Sequence, residues 1–185
     1  MRIISGKHRS RIIDMVGIDT TRETSDKVRG AIFNLINSYP MQGVCLDLFS
    51  GSGAMGLEAL SRGADFCYFN DKNRKAYEVT KKNCKSLGYD KSVIIYNLDY
   101  QLALKQISRP CNFVFLDPPY ALNCYYEIMC YLMSNQLLKD NSLIICEAGI
   151  NTEINIPLGL ELYKAKEYGI KKVLIYRKVR DQNAV

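Results

Sequence analysis

The chain has no tryptophan, a single histidine at position 8, and no two cysteines at C-x-x-C spacing. One histidine cannot complete a Cys/His zinc set, so a structural zinc site is disfavoured, and a disulfide framework with it. The seven cysteines lie mostly inside apolar runs such as Val44-Cys45-Leu46, Phe66-Cys67-Tyr68 and Ile144-Ile145-Cys146. That is how free thiols behave as small buried hydrophobes. No apolar stretch approaches bilayer length, and the opening Met1-Arg2-Ile3-Ile4-Ser5-Gly6-Lys7 lacks the apolar region of a signal peptide. The expectation is a cytoplasmic protein without metal or membrane.

With 48% hydrophobic and 24% charged residues the composition is that of an ordinary globular protein, and disorder is excluded as an overall description. A chain of 185 residues can bury a core large enough for one compact domain with a small appendage. The net charge of +6 is concentrated at the two ends. Residues 1–11 carry Arg2, Lys7, Arg9 and Arg11 with no acid, and residues 164–180 carry seven Lys and Arg against Glu167. Such clusters suit a polyanion such as nucleic acid, although a solvated face explains them equally well.

Residues 1–20 read as a small strand pair ahead of the main domain. Thr24 or Ser25 caps a helix starting near Asp26, with Val28, Ala31, Ile32 and Leu35 forming its buried stripe. From Val44 onwards strands and helices alternate. Strands are expected at 44–49, 66–70, 92–96, 112–116 and 142–146, and helices at 54–61, 73–86, 99–107 and 125–134. Continuously apolar strands separated by helices indicate a parallel sheet covered on both faces. The runs 159–166 and 171–178, with Gly169 between them, indicate antiparallel pairing at one edge.

Two motifs carry chemistry. In Leu46-Asp47-Leu48-Phe49-Ser50-Gly51-Ser52-Gly53-Ala54-Met55-Gly56 a strand enters a glycine turn and then a helix, and residues 51–56 match G-x-G-x-x-G. Asp71 follows Gly51 by 71 − 51 = 20 residues at the end of the next strand, where a carboxylate accepts ribose hydroxyls. The pattern implies a nucleoside-containing cofactor. Asp47 would oppose a pyrophosphate but favour a cofactor bearing a sulfonium and an ammonium; otherwise it binds backbone amides of the loop. The second motif, Asp117-Pro118-Pro119-Tyr120, follows the apolar strand Phe113–Leu116. Its prolines remove two amide donors and fix carbonyl acceptors, so a carboxylate and a carbonyl can hold an exocyclic amine while Tyr120 offers a stacking face. A plain Pro-Pro turn closing a strand is the alternative.

Asp47-x-Phe49-x-Gly51-x-Gly53 together with Asp117-Pro-Pro-Tyr120 resembles the class I S-adenosylmethionine-dependent methyltransferases that modify exocyclic amines. Arg2–Arg11, Thr21-Arg22-Glu23-Thr24-Ser25-Asp26-Lys27-Val28-Arg29 and Leu57-Glu58-Ala59-Leu60-Ser61-Arg62-Gly63-Ala64 narrow the resemblance to the RsmD-type 16S rRNA guanine-N2 methyltransferases, over nearly the whole chain to about residue 178. That family commonly has glycine where Ser5 and Ser10 stand, Glu at Asp71 and Asp at Asn73.

The resemblance implies a Rossmann-like class I methyltransferase fold, a mostly parallel seven-stranded sheet with an antiparallel C-terminal edge. A basic extension at 1–23 would precede a methyltransferase domain at 24–185. It implies that Asp47, Phe49, Gly51, Gly53 and Thr24 surround S-adenosyl-L-methionine, that Asp71 holds its ribose and that Asp99 bonds its adenine; Asp99 equally serves as a helix cap. Asp117, Pro118, Pro119 and Tyr120 would hold the acceptor, and Arg2, Lys7, Arg9, Arg11 and Arg22 would contact RNA. Arg22, Thr24 and Arg29 either line the entrance or serve the helix that follows. The expected partner is 16S rRNA or an assembling small subunit, bound by a monomer without metal. DNA adenine N6 as acceptor and a nicotinamide oxidoreductase on the same glycine pattern are the competing readings.

Overall fold

A computed structural model describes residues 1–17, 26–119 and 121–180. The cores of the predicted elements form where the apolar periodicity places them. Helix α1 spans Asp26–Leu35, strand β1 Val44–Asp47, α2 Ala54–Arg62, β2 Phe66–Asn70, α3 Arg74–Ser86 and β3 Val93–Tyr96. They are followed by α4 at Tyr100–Leu104, β4 at Cys111–Leu116, α5 at Tyr125–Ser134, β5 at Leu138–Gly149, β6 at Leu160–Tyr168 and β7 at Lys171–Lys178.

The seven strands lie in the order β3-β2-β1-β4-β5-β7-β6. β1 pairs in parallel with β2 and β4, β2 with β3, and β4 with β5, whereas β7 runs antiparallel to both β5 and β6. This is the mostly parallel sheet with an antiparallel edge that the pattern predicts. The direction of winding reverses between β1 and β4, and the crevice beyond their carboxyl ends is where open α/β sheets bind ligands.

Alternating side chains of each strand feed two cores. Val44, Leu46, Val114 and Ile144 meet α4 and α5 through Leu104, Ile128 and Leu132 on one face. Cys45, Phe113, Ile145 and Ile175 meet α1 and α2 through Ile32, Phe33 and Leu57 on the other. All cysteines except Cys130 are buried.

Three elements differ from expectation. The helix expected at 99–107 is confined to Tyr100–Leu104, because Asp99 is its cap and the chain closes through the turn bonds from Gln106 N to Ala103 O and from Ile107 N to Leu104 O. β5 begins at Leu138, four residues before the expected start, and the polar Lys139-Asp140-Asn141 conceals it. Asn141 has φ 59°, and the pairing of β4 with β5 shifts register between Cys111 and Phe113. The strand pair expected in the amino-terminal segment is short: in residues 1–17 it amounts to one antiparallel bridge, Arg2 to Ile12, with Ile3 N donating to Arg11 O at 2.9 Å and Ile13 N to Met1 O at 3.0 Å on either side.

That amino-terminal segment is nevertheless fastened to the domain. Ile3 and Ile13 are buried in the core shared with α1 and α2. The fully buried Glu58 accepts the Ile4 and Ser5 amides at 2.7 and 3.0 Å and pairs with Arg62 and Arg29. Gly6 has φ +82°, and a Cβ there would stand 1.8 Å from Ser61 O, so no other residue fits without moving the segment. Ser10, where the resembled family commonly has glycine, is itself in the left-handed region at φ 67°. The proposed boundary at residue 23 lies outside the described residues.

Candidate active site

At the carboxyl ends of β1, β2 and β4 the structure opens into a cavity of about 1010 Å3. Asp47, Phe49, Gly51, Asp71, Asp99, Asp117, Pro118 and Pro119 all line it, so both motifs share one site. Thr24, Arg22 and Tyr120 lie outside the described residues.

The turn after β1 is held by bonds from its own backbone and from two side chains of α3. Ser50 N donates to Asn70 O at 2.9 Å and Gly53 N to Ser50 O at 2.6 Å, while Thr80 Oγ1 donates to Gly51 O and Asn83 Nδ2 to Ser52 O, each at 2.9 Å. Gly51, at φ +54°, opens on the cavity, and a Cβ there would meet nothing within 4 Å. Gly53 has a different place from the one expected. It does not line the cavity; its Cβ position faces Thr80 Cγ2 at 3.0 Å, so it lets the turn close on α3. Gly56 likewise lets α2 lie against the Phe69 ring, 2.3 Å from its Cβ position.

Asp47 ends β1, is 4% exposed, and accepts the Gly56 amide at 2.9 Å. Burial pushes its carboxyl up to about 7; the Gly56 N–H pulls the other way, and Asp71 adds to the rise. Asp71 accepts the Gly51 and Asn73 amides at 2.8 Å each. Its carboxyl is also raised by burial, against the pull of those two N–H groups. Asp99 accepts the Gln101 amide at 3.2 Å and pairs with Lys72 at 3.1 Å. The Lys72 hydrogen bond is the main reason its carboxyl lies below the usual range. Asp99 is therefore both the cap of α4 and a wall of the cavity.

Sequence reasoning misses three contributors. Ser50 Oγ is buried in the cavity wall and has no hydrogen-bond partner among the described residues. Asn70, buried at the end of β2, ties the Leu48 and Leu98 carbonyls together at 3.2 Å each and so fixes the spacing of the β1 and β3 exits. Lys171, by sequence only one member of a basic cluster, lines the cavity and pairs with the buried Glu147. Ser50 and Asn70 adjoin the glycine motif and its partner strand; for Lys171 only the strand register supplies the signal. Arg29 neither lines the cavity nor lies on a wet face: it is fully buried beneath the amino-terminal segment, bonded to Arg2 O, Asp26 and Met1 Sδ.

Of the expected RNA contacts, Lys7, Arg9 and Arg11 are exposed, and Arg2, also exposed, approaches Asp26 at 3.7 Å. The carboxyl-terminal cations are mostly engaged within the fold. Lys164 donates to Leu35 O, Arg177 pairs with Glu161, and Lys178 pairs with Asp140.

An open backbone at Gly51, an unsatisfied Ser50 hydroxyl and a buried Asp47 suit a ligand that brings hydrogen-bonding groups and a cation. Among the described residues no cluster of three or more His, Cys, Asp or Glu could hold a metal ion. No helix among them is long and apolar enough to cross a membrane.

The strand order and the two-motif cavity define a methyltransferase of the class I fold. The protein belongs to the family described as Conserved hypothetical protein 95, whose model matches residues 1–177. It is 37% identical to YlbH of Bacillus subtilis over 96% of this chain and 99% of that one. It is 34% identical to the ribosomal RNA small subunit methyltransferase D of Haemophilus influenzae over 96% of this chain and 93% of that one. The solved structure of yhhF from Escherichia coli superposes with a TM-score of 0.86 at 30% identity, covering 97% of this chain and 98% of that one.

Proposed function

We propose that the protein transfers a methyl group from S-adenosylmethionine to the exocyclic N2 of a guanine in 16S rRNA. The observation that carries this reading is the single cavity joining Asp47, the Gly51 turn, Asp71 and Asp99 to Asp117-Pro118-Pro119. The relatives named as rRNA small-subunit methyltransferases support the acceptor.

In this reading Asp47 and the backbone at Gly51 hold the amino-acid end of the cofactor, Asp71 its ribose hydroxyls and Asp99 its adenine amine. When bound, S-adenosylmethionine supplies a methyl group made electrophilic by the sulfonium. The acceptor amine is a poor nucleophile, since its lone pair is delocalised into the ring, so the chain contributes mainly by holding it in line. Asp117 accepts an N–H of the amine, localises the lone pair and stabilises the positive charge that develops on nitrogen. Pro118 and Pro119 withhold backbone donors that would compete for Asp117. The proton leaves after transfer, so no strong base is needed. Lys7, Arg9 and Arg11 contact the RNA backbone from the amino-terminal segment.

Asp117→Ala tests the reading. Methylation of rRNA falls at least about a hundredfold while S-adenosylhomocysteine still binds with wild-type affinity. Unchanged methylation in that variant refutes the role of Asp117, and mapping the modified nucleotide to another atom or another nucleic acid refutes the acceptor.

A further inference from the structure

Lys171 owes its position to β7, the one strand that runs against the other six. β4 and β5 run parallel with Leu116 beside Cys146, so Asp117 and Glu147 leave the sheet at the same level. β7 runs antiparallel to β5 with Gly149 beside Lys171. Its first residue therefore stands at the edge where the parallel strands end. Lys171 is thus two strands from Asp117 in the sheet order, and both line the same cavity.

Lys171 lines the cavity, and its ammonium is tied to Glu147, which is 4% exposed and whose backbone carbonyl accepts the Tyr125 hydroxyl. A buried carboxylate on a strand fixed from two sides holds the ammonium, with its three N–H donors, in one place. We propose that Lys171 is the specificity-determining residue of the acceptor subsite, donating to the O6 carbonyl of guanine while Asp117 holds N2. The assignment rests on the guanine-N2 reading of the site. It predicts rejection of adenine, which presents an amine where guanine has O6 and would oppose N–H to N–H. A site built to bond a polar group discriminates strongly against a ligand lacking it, because its own buried groups are then left unpaired.

The test compares guanosine with 2-aminopurine riboside at the mapped position of a synthetic rRNA segment. The analogue keeps the N2 amine and carries hydrogen in place of O6. With the wild type, kcat/KM falls at least about a hundredfold on the analogue; with Lys171→Met it is already low on guanosine and falls less than about tenfold further. The analogue also lacks the N1 proton, but that loss is common to both enzymes and cancels in the ratio. Lys171→Met leaves Glu147 without its cation, so the double variant Lys171→Met/Glu147→Gln, which removes both charges, is read in the same way if the single variant does not fold. An equal fall in wild type and variant overturns the assignment and makes Lys171 a phosphate or structural contact. Absence of N2-methylguanosine with the wild type overturns the function and this assignment together.

Discussion

Replacing Asp47 by Asn should stabilise the fold and weaken the cofactor site, with both effects governed by pH. Asn keeps an oxygen to accept the Gly56 amide, now 2.9 Å from Asp47 Oδ2, and removes only the charge. The carboxyl ionises at about 7 in the folded chain against an ordinary value of 3.8, chiefly because burial removes it from water. At about 1.4 kcal/mol per tenfold change in acidity, that displacement is about 4 kcal/mol, an upper bound on what ionised Asp47 costs the fold. Below pH 3.8 the group is protonated in both states and contributes nothing. Between 3.8 and 7 the unfolded chain releases the proton first, so wild-type stability declines across that window, and above 7 the full loss persists. Asp47→Asn removes the slope. Thermal melts should put the variant above the wild type by at most about 2–4 °C at pH 4.5 and by at most about 8–16 °C at pH 8, for a chain of this size.

The same charge is what a bound ammonium needs. In the wild type, S-adenosylhomocysteine affinity should strengthen as pH rises towards 7 and then level off, because binding favours the ionised carboxylate and releases its proton. The variant should bind about tenfold to hundredfold more weakly at pH 8, without that pH dependence. Calorimetry in two buffers of different ionisation enthalpy measures the proton release directly. Wild-type melting temperature at pH 8, or wild-type affinity, in Asp47→Asn would refute the argument that this buried carboxylate is retained for a cationic ligand.

How much of the molecule is legible from residue order varies with how local the signal is. β2 at Phe66–Asn70 and α5 at Tyr125–Ser134 form at the predicted boundaries, since Gly63 and Cys124 flank runs whose periodicity is unmixed. The glycine turn, Asp71 and the Asp117 turn are likewise readable, because each directly follows its own strand. The start of β5 is hidden because Lys139, Asp140 and Asn141 are polar, yet they precede a segment held by β4 on one side and β7 on the other. Lys171 is hidden for the same reason. Its charge suggests an outer face, and only the antiparallel register, set by residues more than twenty positions earlier, brings it to Glu147. Arg29 shows the converse: a cation three residues from Asp26 looks like a surface pair, and burial follows only once the amino-terminal segment folds over it.

Two further outcomes follow from the amino-terminal segment. Ser10→Gly should raise stability by about 1 kcal/mol, because Ser10 sits at φ 67° with its amide already committed to Ile3 O at 2.8 Å, and an unchanged melting temperature would show that the backbone carries no such strain. Arg9→Ala with Arg11→Ala should weaken RNA binding and lower the salt slope of log K by about 0.7 to 0.9 for each phosphate no longer neutralised. Both side chains are exposed, and no carboxylate pairs with either among the described residues. Arg177 and Lys178 give the contrast, since they are bound to Glu161 and Asp140; the Arg177→Gln and Lys178→Gln changes should leave the slope nearly as it was. A slope that responds to the hairpin pair and ignores Arg9 and Arg11 would place the RNA path on the opposite edge of the sheet. A rise only in the S-adenosylhomocysteine dissociation constant would remove the amino-terminal segment from RNA binding altogether.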